Sequence, residues 1–415
     1  MTTPTDKKYL VSDCDLGEEE ALAVAEVVRS KWLSVGPRTA EFEEAFAGLM
    51  RSGDAEGDAP PHAVSVANCT AALHLALLAV GVGPGDEVLL PSYTFVASAN
   101  AVLYCGATPV FVDILGPHDL NLDVADLEAK ITPRTRAVVA VHLAGYAVDM
   151  DRLGELSQRH GFKIVEDACH AIGATYHSPR GGASPWHGRM IGTLGDAGCF
   201  SFFANKNLVT GEGGMVVTRD PEVAGHVRLG RSHGMTKTSW DKASGRAQGY
   251  DVVQLGFNYR GTELTAALGL IQLRKLLNNN QRRRELVRAY LRELPGDLPL
   301  TVPFAHRQDP SAHHVFAVVL DQAAMVEPLR QQLTDRGIQT THHYPPVHGF
   351  SHYRRIVGDI DLPRTRDVSA REVTLPLHPL LEERDIVEIV GRLQEAIAAL
   401  SGISAGIAAV PAASR

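Results

Sequence analysis

The chain has 415 residues, 45% of them hydrophobic and 21% charged, which is long enough for two or three structural units around a large core. A net charge of −8 gives no basic footprint and excludes a nucleic-acid partner on electrostatic grounds, so an anionic substrate needs a local Arg or Lys cluster. Five cysteines (Cys14, Cys69, Cys105, Cys169, Cys199), odd in number and without a CxxC pair, read as small buried hydrophobes in a reducing compartment. The first residues hold no apolar targeting segment, and no run approaches the ~18 apolar residues of a membrane span. A cytoplasmic location is expected.

Residues 17–30 have helical periodicity, and Glu18-Glu19-Glu20 suit the positive end of the helix dipole. Residues 51–61 are small, polar and acidic and predict a surface loop. From Ala63 short apolar runs alternate with helical patterns. Strands are predicted at 64–66, 87–90, 109–112, 137–141 and 163–165, with helices at 71–80, 97–104 and 150–160. This alternation predicts an α/β fold, a mainly parallel sheet flanked by helices, which binds ligands at the C-terminal ends of its strands.

Residues 262–277 form a long amphipathic stretch, and 281–294 carry Arg282-Arg283-Arg284, read as a solvated helix face. After Pro295-Gly296 the pattern changes to a strand at 314–320, a helix at 325–336, a strand at 373–377 and a final helix at 383–400. The expected organisation is an N-terminal helical segment (1–30), a large α/β domain (31–280), a smaller C-terminal α+β domain (281–400) and a disordered tail (401–415).

Chemistry concentrates in two segments. Phe200-Ser201-Phe202-Phe203-Ala204-Asn205-Lys206 is an aromatic strand running into one lysine, followed by a loop of glycines and small polar residues up to Gly214. A strand that delivers a single amine to a dry pocket suits Schiff-base chemistry, because burial or a cationic neighbour must lower a lysine pKa before it attacks a carbonyl. Upstream, Ile164-Val165-Glu166-Asp167-Ala168-Cys169-His170 is a strand ending in acid. Pyridoxal 5′-phosphate (PLP) needs both parts, a lysine for the imine and a carboxylate facing the pyridinium nitrogen. Strand alternation puts Glu166 and Asp167 on opposite faces.

Asn68-Cys69-Thr70-Ala71-Ala72 follows a strand and opens a helix, a setting for either a bound anion or a plain N-cap. Gly81-Val82-Gly83-Pro84-Gly85 follows a helix and reads as a helix-to-strand turn, not a dinucleotide loop. His342, His343 and His348 lack acidic or cysteine partners in sequence, so no metal is expected.

The segments FSFFANKNLVTGEGGMVVT and VEDACHAIGATY together resemble the DegT/DnrJ/StrS family of PLP-dependent sugar aminotransferases. Further motifs are similar in the same order: Trp32 to Pro37 with Phe42-Glu43, Gly85 to Val88 with Pro91 to Phe95, Val141 to Gly145, Gly256 to Arg260, and His343 to His348. The resemblance implies PLP fold type I. It assigns Thr70, Ala71 and Ser201 to the cofactor phosphate, Phe95 to the ring face, Asp167 to the ring nitrogen and His170 to the phenolic oxygen. Lys206 holds the cofactor (PLP, cycling with its amine form PMP) and moves the proton. Asn258 reaches the neighbouring subunit's phosphate, which implies an obligate homodimer; Gly261 replaces the family's usual Met beside that motif. Ser34, His343 and Tyr344 fall in the substrate-binding set.

The implied reaction is transamination of a keto sugar, nucleoside-diphosphate-linked, with a donor such as L-glutamate, giving an amino sugar for glycan or antibiotic biosynthesis. Keto-cyclitols and an aminoshikimate precursor are the alternative substrates. A dehydratase branch that replaces the lysine with histidine disagrees with Lys206, and a silent regulatory protein disagrees with the intact Asp167, Lys206, Ser201 and Asn258 set.

Overall fold

Seven of the apolar runs assemble into one sheet. The computed structural model describes residues 8–51, 59–237, 239–245, 249–307 and 310–408. The sheet comprises β1 (His62–Val66), β2 (Glu87–Pro91) and β3 (Thr108–Val112), then, after the small ribbon β4 (Ile114–Gly116) and β5 (Asp119–Leu122), β6 (Thr135–Val141), β7 (Lys163–Asp167), β8 (Ala197–Ser201) and β9 (Gly214–Thr218). Their order is β1-β9-β8-β7-β6-β2-β3. Strands β3, β2, β6, β7 and β8 pair in parallel, while β9 runs antiparallel to both β8 and β1. Every residue of β2, β8 and β9 is buried, as a sheet covered on both faces requires.

The helices up to this point are α1 (Glu18–Ser30), which packs on the later helix at 263–293, α2 (Pro37–Leu49), α3 (Cys69–Ala79), α4 (Ala97–Tyr104), α5 (Val124–Ala129), α6 (Met150–His160), α7 (Pro221–Gly230) and the short α8 (Ser239–Ala243). One core layer is held by Phe42, Phe46, Phe200 and Phe202, whose rings meet edge to face at 5.2–6.1 Å. The other packs Leu73 and Leu77 of α3 and Val102 of α4 against Val139 and Val216. The glycine-rich segment 81–85 is the expected turn between α3 and β2, with Gly81 and Gly85 at φ 86° and 91°. Of the predicted loop at 51–61, residues 52–58 lie outside the described residues.

The two stretches at 262–277 and 281–294 are one helix, α9 (Glu263–Glu293), because nothing in Asn278-Asn279-Asn280 breaks it. Beyond it follow β10 (Leu300–Thr301), β11 (Phe316–Leu320), α10 (Val326–Asp335), α11 (Ser351–Val357), α12 (Pro363–Arg371), β12 (Glu372–Leu375) and α13 (Glu383–Ala408). The far half of α9 joins a second core with these elements except α11, whose Tyr353 packs into the core of the large sheet, and α12, whose Val368 packs beside Tyr93 and Val319. In that core α9, α10, α13 and the antiparallel sheet β10-β11-β12 bring Tyr290, Phe316, Leu333 and Ile389 together. Residues 9–11 belong here as well: the Tyr9 amide donates to Gly337 O at 3.0 Å, and Leu377 N–H to Val11 O at 3.1 Å.

Two expectations need correction. Arg283 is not solvated; it is 2% exposed and donates to the carbonyls of His314 and Leu377 at 3.3 and 2.8 Å. Successive helix residues turn by about 100°, so three consecutive arginines cannot share one outer face. The final helix runs to Ala408 rather than to 400, so the tail expected to be disordered begins as helix, while 409–415 lie outside the described residues. Among the described residues no helix is long and apolar enough to cross a membrane.

Candidate active site

Strands β7 and β8 lie side by side in parallel, with Asp167 in register with Cys199, so the acid and the lysine segment leave the sheet at the same edge. The loop beyond β8 folds back at once: Thr210 N–H donates to Phe202 O at 2.8 Å and Phe202 N–H to Gly213 O at 2.9 Å. That fold holds Lys206 at a turn closed by its amide on Phe203 O at 2.9 Å. Gly214 begins β9 against the start of α3, where a Cβ would stand 2.6 Å from the Asn68 carbonyl carbon. Glycine there lets the first turn of α3 approach the lysine loop.

A cavity of about 710 Å³ opens at this edge. Of the residues singled out from sequence, Thr70, Phe95, Asp167, His170, Ser201, Lys206, His343 and Tyr344 line it. Asp167 accepts Ser98 Oγ at 2.8 Å and the Cys169 amide at 3.3 Å. Glu166 does point to the other side, where it accepts the amides of Gly192, Leu194 and Gly195 at 2.7 Å each and pairs with His142 Nε2 at 3.0 Å. Asn68 caps α3 by accepting the Ala71 amide at 2.9 Å, so the N-cap reading holds for Ala71. The amides of Cys69 and Thr70 make no hydrogen bond among the described residues, as the first turn of a helix leaves them.

Burial lowers the pKa of the Lys206 amine, an effect that the nearby cysteines and Asp167 oppose. The amine lies 3.3 Å from His314 Nε2. His314 Nδ1 is 3.0 Å from Asn207 Oδ1, and the Asn207 amide nitrogen donates to Asn280 Oδ1 and Ala312 O at 2.8 and 2.7 Å. Because that nitrogen donates twice, Oδ1 is the acceptor, His314 carries its hydrogen on Nδ1, and Nε2 turns a lone pair to the lysine. His170 is fixed in the opposite sense. Its Nδ1 accepts the Ala144 amide at 3.3 Å, and Nε2 meets the Tyr344 hydroxyl at 2.9 Å. Burial, then the charge of Lys206, holds His170 and His314 well below the usual histidine range and His343 down to about 3, so all three imidazoles are neutral.

Ser34 and Asn258 do not line this cavity. Ser34 is exposed between α1 and α2, and Asn258 bridges to Ser232 in the segment after Leu255, whose side chain is 84% exposed. Sequence reasoning missed His314, Asn207 and Ser98. Asn207 stands within the lysine motif, and Ser98 lies one helical step past Thr94, which it meets at 3.0 Å. His314, by contrast, reaches Lys206 only through the packing of the second core on the first, and no local pattern marks it. Among the described residues one group has metal-ligand spacing, Cys69, Asp167 and Cys169, with donor atoms within 4.8 Å.

Residues 14–394 match the DegT/DnrJ/EryC1/StrS aminotransferase family. The chain is 38% identical over 392 residues to the spore coat polysaccharide biosynthesis protein SpsC of Bacillus subtilis (strain 168), covering 92% of this chain and 95% of that one. Its structure is similar to Helicobacter pylori PseC, an aminotransferase involved in the biosynthesis of pseudoaminic acid (TM-score 0.84, 30% identity, 95% of this chain and 100% of the other). It is also similar to Spr1654 of Streptococcus pneumoniae, solved in a PLP form (TM-score 0.83, 28% identity, 94% and 98% covered). Sequence and fold agree over nearly the whole length, and the chain belongs to the DegT/DnrJ/EryC1/StrS aminotransferase family.

Proposed function

We propose that this aminotransferase uses PLP to move an amino group from an amino acid, L-glutamate by family habit, to a keto sugar linked to a nucleoside diphosphate, in the cytoplasm. The observation that carries the reading is that the Lys206 amine, its pKa lowered by burial, shares a cavity of about 710 Å³ with the Asp167 carboxylate. The residues fit the cofactor. The unpaired amides of Cys69 and Thr70 are suited to its phosphate, with Ala71 and Ser201 beside them. Asn205 Oδ1, buried in the wall without a partner, offers a further acceptor.

When bound, PLP supplies an aldehyde that takes up an amine and a ring that holds the electron pair released from a C–H bond. Asp167, kept in place by Ser98 and the Cys169 amide, holds a proton on the ring nitrogen. Phe95, 58% exposed into the cavity mouth, covers the ring face. Lys206 carries the proton between the donor α-carbon and the cofactor's C4′ carbon. His314 Nε2 accepts a hydrogen from the amine and so aims its lone pair. His170 and Tyr344, 2.9 Å apart, stand at the phenolic side, with His343 and Tyr344 toward the sugar.

A homodimer completes this reading. Tyr250, Val252, Val253 and Leu255 are all more than half exposed just before Asn258, an apolar stretch suited to a second copy. Asn258 then serves the partner's phosphate, and Ser34 acts on substrate only through the same assembly.

The test is a holoenzyme assay with L-glutamate against a panel of keto-sugar nucleotides and keto-cyclitols. Amino-sugar product with release of 2-oxoglutarate is the expected outcome. Turnover of the cyclitols alone would replace the substrate class, and no amine transfer to either would end the proposal.

A further inference from the structure

The cavity wall contains two cysteine thiols that amino transfer does not use. Cys69 is the first residue of α3, and Cys169 follows Asp167 by two positions; both line the cavity. The Cys169 thiol donates to Cys69 with the sulfurs 2.8 Å apart, and neither is in a disulfide. A disulfide holds its sulfurs at ~2.05 Å. Closing a 2.8 Å gap therefore asks the sulfurs to approach by about 0.8 Å.

The two segments are those the proposed cofactor site depends on most. One presents the helix amides to the phosphate, and the other carries Asp167 and His170. We propose that Cys69 and Cys169 are an oxidisable pair that closes to a disulfide across the floor of the cofactor site by exchange with a small disulfide, and that bound PLP shields it. The shielding rests on the function proposed above.

The exchange balances without any further reagent. Cys69 loses its proton and its sulfur attacks one sulfur of the small disulfide, releasing the first small thiol. Cys169 then loses its proton and attacks the Cys69 sulfur of the mixed disulfide, releasing the second. Two protein thiols and one small disulfide become one protein disulfide and two small thiols. The order follows from the hydrogen bond. Cys169 donates and is raised by that bond and by burial, whereas burial pushes Cys69 up to about 11 and the same bond draws it down. Both groups are thiols at neutral pH, so the exchange is slow there and quickens as pH rises. The Asp167 carboxylate raises both thiols and the Lys206 charge lowers both.

The experiment uses the full chain, as PLP holoenzyme and after removal of PLP, incubated with glutathione disulfide. Free thiols are counted after denaturation, and linked peptides are mapped by mass spectrometry. The cofactor-free chain should lose two of its five thiols, yield a Cys69–Cys169 linked peptide and recover both thiols with dithiothreitol. With free PLP at about 100 times its Kd, the rate should fall about 100-fold, the share of chains left without cofactor. Cys169→Ser should stop at one glutathionyl group on Cys69, and Cys69→Ser should give no linked peptide.

Retention of all five thiols by the cofactor-free chain, while the denatured chain oxidises, would overturn the pair. So would a link to Cys199 or Cys105. Thiol loss reversed by a chelator and not by reductant would replace it with a metal held by Cys69, Asp167 and Cys169. Equal rates with and without PLP, in a chain whose visible spectrum proves PLP is bound, would overturn the shielding. A chain that takes up no PLP sinks the proposed function alone, since the cofactor-free arm still decides the pair.

Discussion

Glu166 and Asp167 are neighbours on one strand and live in different surroundings. Glu166 is saturated: three amides and one imidazole use its oxygens, and the residue is fully buried. Asp167 accepts one hydroxyl and one long amide contact and keeps acceptor capacity facing a cavity of about 710 Å³. A carboxylate whose partners are all internal holds a loop in place, and one left partly unpaired beside a cavity is prepared for something that arrives. The same contrast divides the lysine side of the site: the Lys206 amine faces the cavity, while its neighbour Asn207 spends its amide on the interior.

The largest break in this contrast is Lys206→Ala. Turnover should vanish, and borohydride should fix no PLP to the chain, with the melting temperature little changed. Recovery of reduced cofactor on another lysine would remove Lys206 from its role. Next comes the acid pair. Asp167→Asn should lower kcat by about 10²–10⁴-fold and leave stability near wild type. Glu166→Ala should do the reverse, costing about 3–5 kcal/mol in denaturant unfolding because buried donors lose a charged partner. If the two variants show the same profile, the division between a structural and a catalytic acid is wrong.

Asn258→Ala should loosen PLP by about ten- to a hundredfold, the worth of one hydrogen bond to a charged oxygen. Mixing it with inactive Lys206→Ala sharpens the point: heterodimers should regain one tight site, since a subunit with intact lysine meets a partner with intact Asn258. Spectral titration that finds no tighter site in the mixture would confine Asn258 to its own subunit.

The smallest effect is in pH. The folded pKa of Lys206 lies below its unfolded value of 10.5, so the folded cofactor-free chain binds fewer protons between the two. Its stability is therefore penalised at neutral pH, and the penalty fades as pH rises toward 10.5. Cofactor-free Lys206→Met should be more stable than wild type at pH 7, with the difference shrinking as pH rises. A constant difference would mean that the amine is not desolvated.

Much of this was legible in the sequence because it is local. Alternating strands and helices, the acid at the end of β7 and the amine after β8 each announce themselves within a dozen residues, and strand alternation set Glu166 and Asp167 on opposite faces, the family resemblance choosing Asp167. What stayed hidden needs distant segments to meet. Arg283 reads as one of three surface arginines until the carbonyls of His314 and Leu377 are found around it. His314 becomes a partner of Lys206 only when the second core docks on the first. Nor does sequence show that the Cys69 and Cys169 sulfurs are neighbours, since that depends on how α3 sits over the end of β7.

The length of α9 has a mechanical consequence. At about 1.5 Å per residue, its 31 residues make a shaft of roughly 46 Å. Near its start Glu263 binds the amides of Arg38 and Thr39, at 2.9 and 2.8 Å. Partway along, Asn280 joins the Asn207 amide that orients His314. Farther on, Tyr290 enters the core of the small sheet. The two sheets are thus joined by a stiff axle as well as by chain crossings, and through Asn280 that axle is hydrogen-bonded to the residue that follows the lysine. The same network runs on through Asn207 and His314 to the Lys206 amine, so the longest rigid element of the fold ends up holding the smallest moving part of its chemistry in line.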